Sequence, residues 1–177
     1  MQCSATFITC SYESHANSIL EILNDAIINS TALYEYLPRK AETMEDWFNQ
    51  KQASNFPVIG VINEAQQLMG FATYGTFRAF PANKYSIEHS VYIDKSHRGK
   101  GLAKQLMIKL IETAKQQQYH TIIAGIDIEN ESSIALHKKL GFEHVGTFKD
   151  VAYKFDRWLD LSMYQLILST PKKPVGN

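Results

Sequence analysis

The segment from residue 94 to residue 104 contains the residue types that bind phosphate groups in proteins. Gly99 and Gly101 allow backbone N–H groups to approach a phosphate, and a helix that begins near Gly101 would add the partial positive charge of its N-terminus. Four of these eleven residues are Lys or Arg, at positions 95, 98, 100 and 104. The sequence therefore predicts a site for one small anionic group.

Two familiar phosphate-binding loops do not fit this segment. The P-loop requires Lys after its last glycine, whereas Leu102 follows Gly101. The dinucleotide fingerprint requires a third glycine where Lys104 stands. The pattern that does fit is Gln or Arg, two residues of any type, Gly, any residue, and Gly or Ala, which Arg98, Gly101 and Ala103 satisfy. On this pattern alone, a glycine-rich turn that only begins a helix is an equal alternative.

The elements that must position this loop follow from hydrophobic periodicity. Alternating or continuous apolar runs predict strands at residues 5–9, 57–62, 68–77, 85–93, 121–128, 145–151 and 159–168. Apolar residues at helical spacing predict helices at residues 15–28, 43–48, 101–118 and 130–140. Thr43 and Asp46 are typical of a capping box, and Asn130 and Gly141 are start and stop signals for the last helix. The sequence predicts one mixed α/β domain.

The predicted strand at residues 85–93 carries a carboxylate just before the loop. Because strand side chains alternate, Glu88, Ser90 and Tyr92 share one face, and the apolar residues 87, 91 and 93 share the other. A partly buried carboxylate has a raised pKa and suits a general base near neutral pH. A glutamate that simply faces solvent is the alternative.

Composition limits the classes of protein that fit. The 177 residues carry 18 Lys and Arg against 18 Asp and Glu, which disfavours a nucleic-acid partner. No apolar stretch could span a membrane, and the first residues lack a signal-peptide pattern. Cys3 and Cys10 would lie over about 20 Å apart on an extended segment, too far for a disulfide. We expect a cytoplasmic protein with free thiols and, from its His and Cys spacing, no metal site.

Two motifs carry a resemblance to a known family. R-G-K-G-L-A at residues 98–103 is similar to the acyl-CoA pyrophosphate loop of the GNAT superfamily of N-acetyltransferases, and N-E-S-S-I-A-L-H-K-K-L-G-F at residues 130–142 is similar to its downstream motif. The stretches S-T-A-L-Y-E-Y, E-H-S-V-Y-I and K-F-D-R-W-L-D-L resemble the phosphinothricin and methionine sulfone (sulfoximine) branch. The resemblance implies a GNAT domain over residues 1–168, with a mixed, mostly antiparallel sheet flanked by helices. We expect residues 169–177 to form a flexible tail.

The resemblance also implies acetyl-CoA as co-substrate. The pyrophosphate would be held by Arg98, Gly99, Lys100, Gly101, Leu102, Ala103 and Lys104. Backbone groups of Val91, Tyr92 and Ile93 would pair with the pantetheine arm and polarise the thioester carbonyl, and Asn130 would contact the same arm. Two positions depart from the general superfamily pattern: Ala103 replaces the more frequent last glycine, and His137 stands where many relatives have a tyrosine.

Catalysis requires a base for the acceptor ammonium and a proton for the leaving thiolate. Glu88 is the expected base, directly or through a water molecule. His137, which the resemblance puts near the CoA sulfur, would protonate the thiolate or relay the proton of the amine. A water molecule as the acid and a purely structural helix histidine are the alternatives.

The acceptor site is expected around Arg78, since a guanidinium suits the carboxylate of an amino acid. Tyr34, Phe80 and Tyr85 are candidate walls of its pocket, and Lys154 either lines the site or is a solvated lysine. The expected activity is acetylation of a small amino-acid-like amine, by direct attack without an acyl-enzyme, in a protein that the resemblance suggests is a homodimer. Protein N-terminal acetylation and a non-catalytic acyl-CoA sensor are the alternatives.

Overall fold

A computed structural model describes residues 5–176, which form seven strands and four α-helices within that range. The elements are β1 (Thr6–Thr9), α1 (Tyr12–Asn29), α2 (Thr43–Ala53), β2 (Val58–Ile62), β3 (Leu68–Thr76), β4 (Ser86–Ile93), α3 (Leu102–Gln116), β5 (Thr121–Asp127), α4 (Glu131–Lys139), β6 (Glu143–Lys154) and β7 (Arg157–Ile167). The sheet order is β1-β2-β3-β4-β5-β7-β6. The β4–β5 pairing is parallel, while β1–β2, β2–β3, β5–β7 and β6–β7 are antiparallel. The predicted fold class is confirmed.

By packing, the chain divides into two compact units. One comprises the chain up to Tyr74 together with Ser90–Leu110, and the other comprises Gly75–His89 together with the chain from Ile111 onward. In the first unit, the apolar stripe of α1 and residues of α2 pack with β2 and β3 around Ile19, Met44 and Phe71, which are at most 1% exposed. The hairpin predicted between residues 57 and 77 is confirmed, and Asn63 and Gln67 close its turn.

The capping box predicted at Thr43 is wrong. Glu42 occupies the position before the first helical residue and already has helical backbone angles, φ −61° and ψ −23°. Thr43 is therefore inside α2, and its hydroxyl donates to the carbonyl oxygen of Lys40 at 2.7 Å. The Thr43 hydroxyl is therefore bonded to the turn at residues 40–42 and does not cap the N-terminus of α2.

In the second unit, α4 has the ends that the sequence predicts. The side chain of Asn130 accepts a hydrogen bond from the backbone N–H of Ser133 at 3.2 Å, and Gly141 ends the helix with a φ of +89°. The antiparallel pair β6–β7 is confirmed and is longer than predicted. The register of β6 shifts between His144 and Gly146 and between Phe148 and Ala152. These shifts interrupt the alternation of side chains from which the strand was predicted, so its full length was not.

The parallel pairing of β4 with β5 is short. It joins Ser86 to Thr121, Ile87 to Ile122 and Glu88 to Ile123, and within residues 5–176 it ends there. Glu88 therefore marks the place where β4 separates from β5.

Cys10 is a buried free thiol, whereas Cys3 lies outside the described residues. The hydroxyl of Tyr85 donates to the carbonyl oxygen of Val175 at 3.2 Å and accepts from its N–H at 3.0 Å. The predicted domain boundary at residue 168 and the flexibility of the tail stay predictions. Among helices within residues 5–176, none is long and apolar enough to cross a membrane.

Candidate active site

Glu88 lies at the end of the β4–β5 pairing with its side chain on the exposed face. A Cβ placed on Gly125 would lie 3.5 Å from Oε1 of Glu88 and 3.4 Å from Cδ1 of Leu161. The carboxylate of Glu88 therefore lies beside the backbone of β5, at ordinary contact distance from where a side chain on Gly125 would begin. Desolvation by the surrounding protein raises the pKa of Glu88 above the usual glutamate value. A carboxylate with this shift holds its proton more readily, as a general base requires.

His137 is almost completely buried, at 1% exposure, and both of its ring nitrogens have partners. Its Nδ1 lies 2.7 Å from the carbonyl oxygen of Ser133, one turn earlier in α4. Its Nε2 lies 2.9 Å from Nε2 of His89 on β4. Burial lowers the pKa of His137, because the charged form loses hydration. The role of His137 as proton donor stays a prediction. In this geometry each ring nitrogen of His137 already has a partner within the protein, Ser133 or His89.

His89 was not identified from the sequence. It is 8% exposed and shares the buried face of β4 with Ile87, opposite to the side chain of Glu88. Within the part of the chain that the structure describes, Nδ1 of His89 is buried without a hydrogen-bond partner. His89 could have been identified from the sequence only by the alternation of side chains along β4, which puts its imidazole on the same face as the apolar Ile87.

The loop predicted to bind phosphate lies in the first unit and has the backbone that such a loop needs. Gly99 and Gly101 have φ values of +76° and +74°, in the left-handed region that favours glycine. A Cβ on either residue would meet nothing within 4 Å among the described residues, so space is open on this side of the loop. The first residues of α3, Leu102 and Ala103, follow directly. The loop therefore presents a helix N-terminus beside open space.

Side chains of the loop make contacts that the sequence did not predict. Nη2 of Arg98 lies 2.8 Å from Oδ2 of Asp25 on α1, and its Nε donates to the carbonyl oxygen of Ile93 at 3.3 Å. Lys95 Nζ is 3.9 Å from Oδ1 of the same aspartate, and Lys100 Nζ donates to the carbonyl oxygen of Ser96 at 3.3 Å. Lys104 is exposed on the first turn of α3. Asp25 therefore compensates part of the positive charge that Lys95 and Arg98 bring to the loop.

The end of β4 that precedes the loop packs tightly on β3. A Cβ on Gly70 would lie 2.8 Å from the carbonyl oxygen of Tyr92 and 2.6 Å from Cδ1 of Ile93. Because only glycine fits there, the backbone of Tyr92 and Ile93 can lie directly against β3. Asn130, which belongs to the second unit, uses its side-chain oxygen to cap α4.

The candidate acceptor residues are divided between the two units. Arg78, Phe80 and Tyr85 belong to the segment between β3 and β4, where Arg78 is exposed and lies 5.8 Å from the ring centre of Phe77. Tyr34 is half-buried in the segment between α1 and α2. Lys154 is only 5% exposed, so the alternative of a solvated lysine is wrong.

A metal site was not expected from the sequence. Among residues 5–176, no group of three or more His, Cys, Asp or Glu side chains is arranged to hold an ion.

Comparison with known proteins gives consistent matches. Residues 8–163 match the acetyltransferase (GNAT) domain family. Over 150 residues, covering 85% of this chain and 87% of the relative, the sequence is 41% identical to an L-methionine sulfoximine/L-methionine sulfone acetyltransferase from Pseudomonas paraeruginosa. A solved GNAT superfamily phosphinothricin acetyltransferase from Sinorhizobium meliloti, in complex with acetyl-CoA, is 30% identical with a TM-score of 0.92 and covers 98% of this chain and 93% of its own. A ribosomal-protein-alanine N-acetyltransferase from Brucella melitensis is 38% identical with a TM-score of 0.89, covering 92% and 99%.

Proposed function

Because this chain belongs to the GNAT acetyltransferase family, we propose that it moves the acetyl group of acetyl-CoA to the amine of a small amino-acid-like acceptor. Methionine sulfone, methionine sulfoximine and phosphinothricin represent the acceptor class, by similarity to the relatives that carry these names. The main structural support is the carboxylate of Glu88, with its raised pKa, at the point where β4 leaves β5.

The residues of the loop fit the anionic donor. Backbone N–H groups from Gly99 to Ala103 and the cationic side chains of Arg98, Lys100 and Lys104 would hold the pyrophosphate, and open space lies beside both glycines. Backbone groups of Val91, Tyr92 and Ile93, with Asn130, would hold the pantetheine arm. When bound, acetyl-CoA supplies an activated acetyl group on a thioester.

Glu88 would accept the proton of the acceptor ammonium, directly or through a water molecule, so that the amine attacks in a ternary complex. Backbone N–H groups of β4 would stabilise the charge that develops on the thioester oxygen. We assign the proton of the leaving thiolate to water rather than to His137, because Ser133 and His89 occupy both nitrogens of that ring. A thiolate with a pKa of about 8.5 takes a proton from water readily near neutral pH.

Arg78 would hold the carboxylate of the acceptor, since its guanidinium is exposed and offers paired donors. Tyr34, Phe80 and Tyr85 would surround the acceptor side chain. This arrangement favours a free amino acid over the N-terminus of a protein, where that carboxylate is replaced by a peptide bond.

Thiol release from acetyl-CoA tests this function. We expect the fastest release with methionine sulfone, methionine sulfoximine or phosphinothricin, and slow release with polyamines and with a peptide that begins with alanine. Reactions without acceptor measure the background hydrolysis, and the Glu88→Gln variant should release thiol much more slowly than the original protein. Release with the peptide alone would establish protein N-terminal acetylation instead. Tight acetyl-CoA binding by calorimetry without thiol release to any acceptor would establish a sensor.

We further propose that the enzyme is a cytoplasmic homodimer. The resemblance of its sequence to the phosphinothricin branch supports the dimer, and a free cysteine at position 10 fits a reducing compartment. Light scattering at micromolar concentration should give twice the chain mass of 20.1 kDa, and a monomer mass would overturn the dimer. Fractionation of cells that express the chain should recover it with cytoplasmic markers.

A further inference from the structure

His89 and His137 form a buried contact that the proposed reaction does not use. Their Nε2 atoms are 2.9 Å apart, and their rings are nearly parallel, with an interplanar angle of 18°. Phe142 packs against both imidazoles in an edge-to-face arrangement. Its ring centroid is 5.7 Å from that of His89 and 5.0 Å from that of His137. All three side chains are at most 8% exposed.

The partners of the pair define where its protons lie. The carbonyl oxygen of Ser133 only accepts, so Nδ1 of His137 must carry a hydrogen. In a neutral His137, Nε2 then has no hydrogen and must accept from Nε2–H of His89. Nδ1 of His89 is consequently bare, which agrees with its lack of a partner within residues 5–176. Burial lowers the pKa of both rings, that of His89 to about 3, and so keeps both neutral.

The location of this bond gives it a consequence for catalysis. His89 directly follows Glu88, the last residue of β4 that pairs with β5. Beyond Glu88 the β4 strand no longer has the support of that pairing. His137 lies on α4, whose first turn is capped by Asn130. The bond therefore joins the residue next to Glu88 to the helix that Asn130 caps.

We propose that His89 and His137 act together as positioning residues, and that their hydrogen bond fixes α4 on β4 where β4 leaves β5. This inference rests on the proposed function, because it assigns the pair the task of holding Glu88 and Asn130 at the spacing that acetyl transfer requires. Neither histidine exchanges a proton with a substrate.

Kinetics of four variants test the coupling. His89→Phe keeps the ring shape and removes the donor, and we expect kcat to fall about tenfold, which corresponds to about 1.4 kcal/mol. His89→Gln places an amide N–H near the original Nε2 and should keep kcat within about twofold. The kcat of His137→Phe should fall about as much as that of His89→Phe. The kcat of the double variant should fall no further, since each single change already removes the same hydrogen bond.

Two kinetic outcomes would overturn the proposal. One is a folded His89→Phe enzyme with unchanged kcat while His137→Phe loses activity, which would mark His137 as an independent proton donor. The other is a multiplicative loss in the double variant, which would show that the two residues act separately.

NMR of the imidazole nitrogens in the free, ¹⁵N-labelled protein gives a test that does not need acetyl transfer. We expect two neutral rings at neutral pH, His89 with its hydrogen on Nε2 and His137 with its hydrogen on Nδ1. A charged His137, or one with its hydrogen on Nε2, would overturn the pair whatever the enzyme acetylates. If the expected tautomers are found but no acceptor is acetylated, the proposed function fails and the pair remains.

Discussion

Nη2 of Arg98 lies 2.8 Å from Oδ2 of Asp25, so an ion pair ties the loop after β4 to the C-terminal half of α1. The side chain of Asp25 is 18% exposed and that of Arg98 is 55% exposed. The second bond, from Nε of Arg98 to the carbonyl oxygen of Ile93, fixes the other side of the guanidinium. The arginine that we expect to meet the pyrophosphate is thus oriented before an anion arrives.

Asp25→Ala should weaken acetyl-CoA binding through Arg98. Ordering a long side chain on binding costs about 0.5–1 kcal/mol, which corresponds to an increase in Kd of about two- to fivefold. Calorimetry measures this Kd. Asn29→Ala is the matched control, because Asn29 donates to the same aspartate at 3.0 Å without reaching the loop. Unchanged or tighter binding by Asp25→Ala would show that the aspartate only opposes the anion.

Gly101→Ala should raise the Kd for acetyl-CoA about tenfold, because an L-residue at a left-handed φ costs about 1–2 kcal/mol. We expect the loop of this variant to relieve that strain by turning its N–H groups away from the position of the anion. Gly141→Ala carries the same kind of strain at the end of α4, with a φ of +89°, and should lower Tm without this effect on Kd. Equal Kd values for the two variants would contradict the prediction.

Glu88→Gln should lower kcat/KM by about 10²–10⁴-fold and remove the limb of the pH profile on which activity rises with pH. The glutamate control is Glu64→Gln, at an exposed position in the turn between β2 and β3. An unchanged kcat/KM from about pH 6 to pH 9 would exclude Glu88 as the base.

The same Glu88→Gln variant should be as stable as the original protein at pH 7, or more stable. The raised pKa means that folded Glu88 holds its proton more tightly than unfolded Glu88 does. The free energy of unfolding therefore falls as pH rises through the acid range, and the penalty is complete above the raised pKa. Thermal denaturation should show a Tm difference at pH 7 that disappears below the usual glutamate range. A lower Tm for the variant at pH 7 would contradict the expectation that ionised Glu88 destabilises the fold.

Arg78→Ala should raise KM strongly for free amino acids and little for amines without a carboxylate. A charge-assisted pair contributes about 1.5–3 kcal/mol, so the expected increase in KM for methionine sulfone is at least about tenfold. Arg157→Ala is the control, since Arg157 is engaged in a two-bond ion pair with Glu129. Equal increases for both types of amine would remove Arg78 from the acceptor site.

Cys10 should be neither reactive nor required. Burial raises the pKa of its thiol to about 12, so almost none of it is thiolate at pH 8. In a Cys3→Ser background, a thiol reagent should label Cys10 only after unfolding, and Cys10→Ala should retain kcat. Loss of catalysis in a folded Cys10→Ala protein would support an acyl-enzyme in place of direct attack.

Local signals in the sequence predicted most of the elements. Asn130 and Gly141 mark the ends of α4 because capping and left-handed turns depend on single residue types. The capping box at Thr43 failed because the turn before α2, which involves Lys40, depends on more than the four-residue pattern.

Long-range contacts could not be predicted in this way. Asp25 and Arg98 are 73 positions apart, and His89 and His137 are 48 positions apart. No periodicity relates residues at such separations, so the pairing partner of each candidate became clear only from the fold. Glu88 was identified because its strand places it on a polar face, while His89 next to it was overlooked on the apolar face.

The open space beside Gly99 and Gly101 separates two reasons for requiring glycine. Neither position lacks room for a methyl group among the described residues, and both require a positive φ. The requirement is therefore one of chirality rather than of size. A D-alanine introduced at Gly101 by chemical synthesis would find a favourable φ there, since D-residues prefer the opposite sign of φ to L-residues. In the loop without an anion, glycine is needed at these two positions for its positive φ and not for its small size.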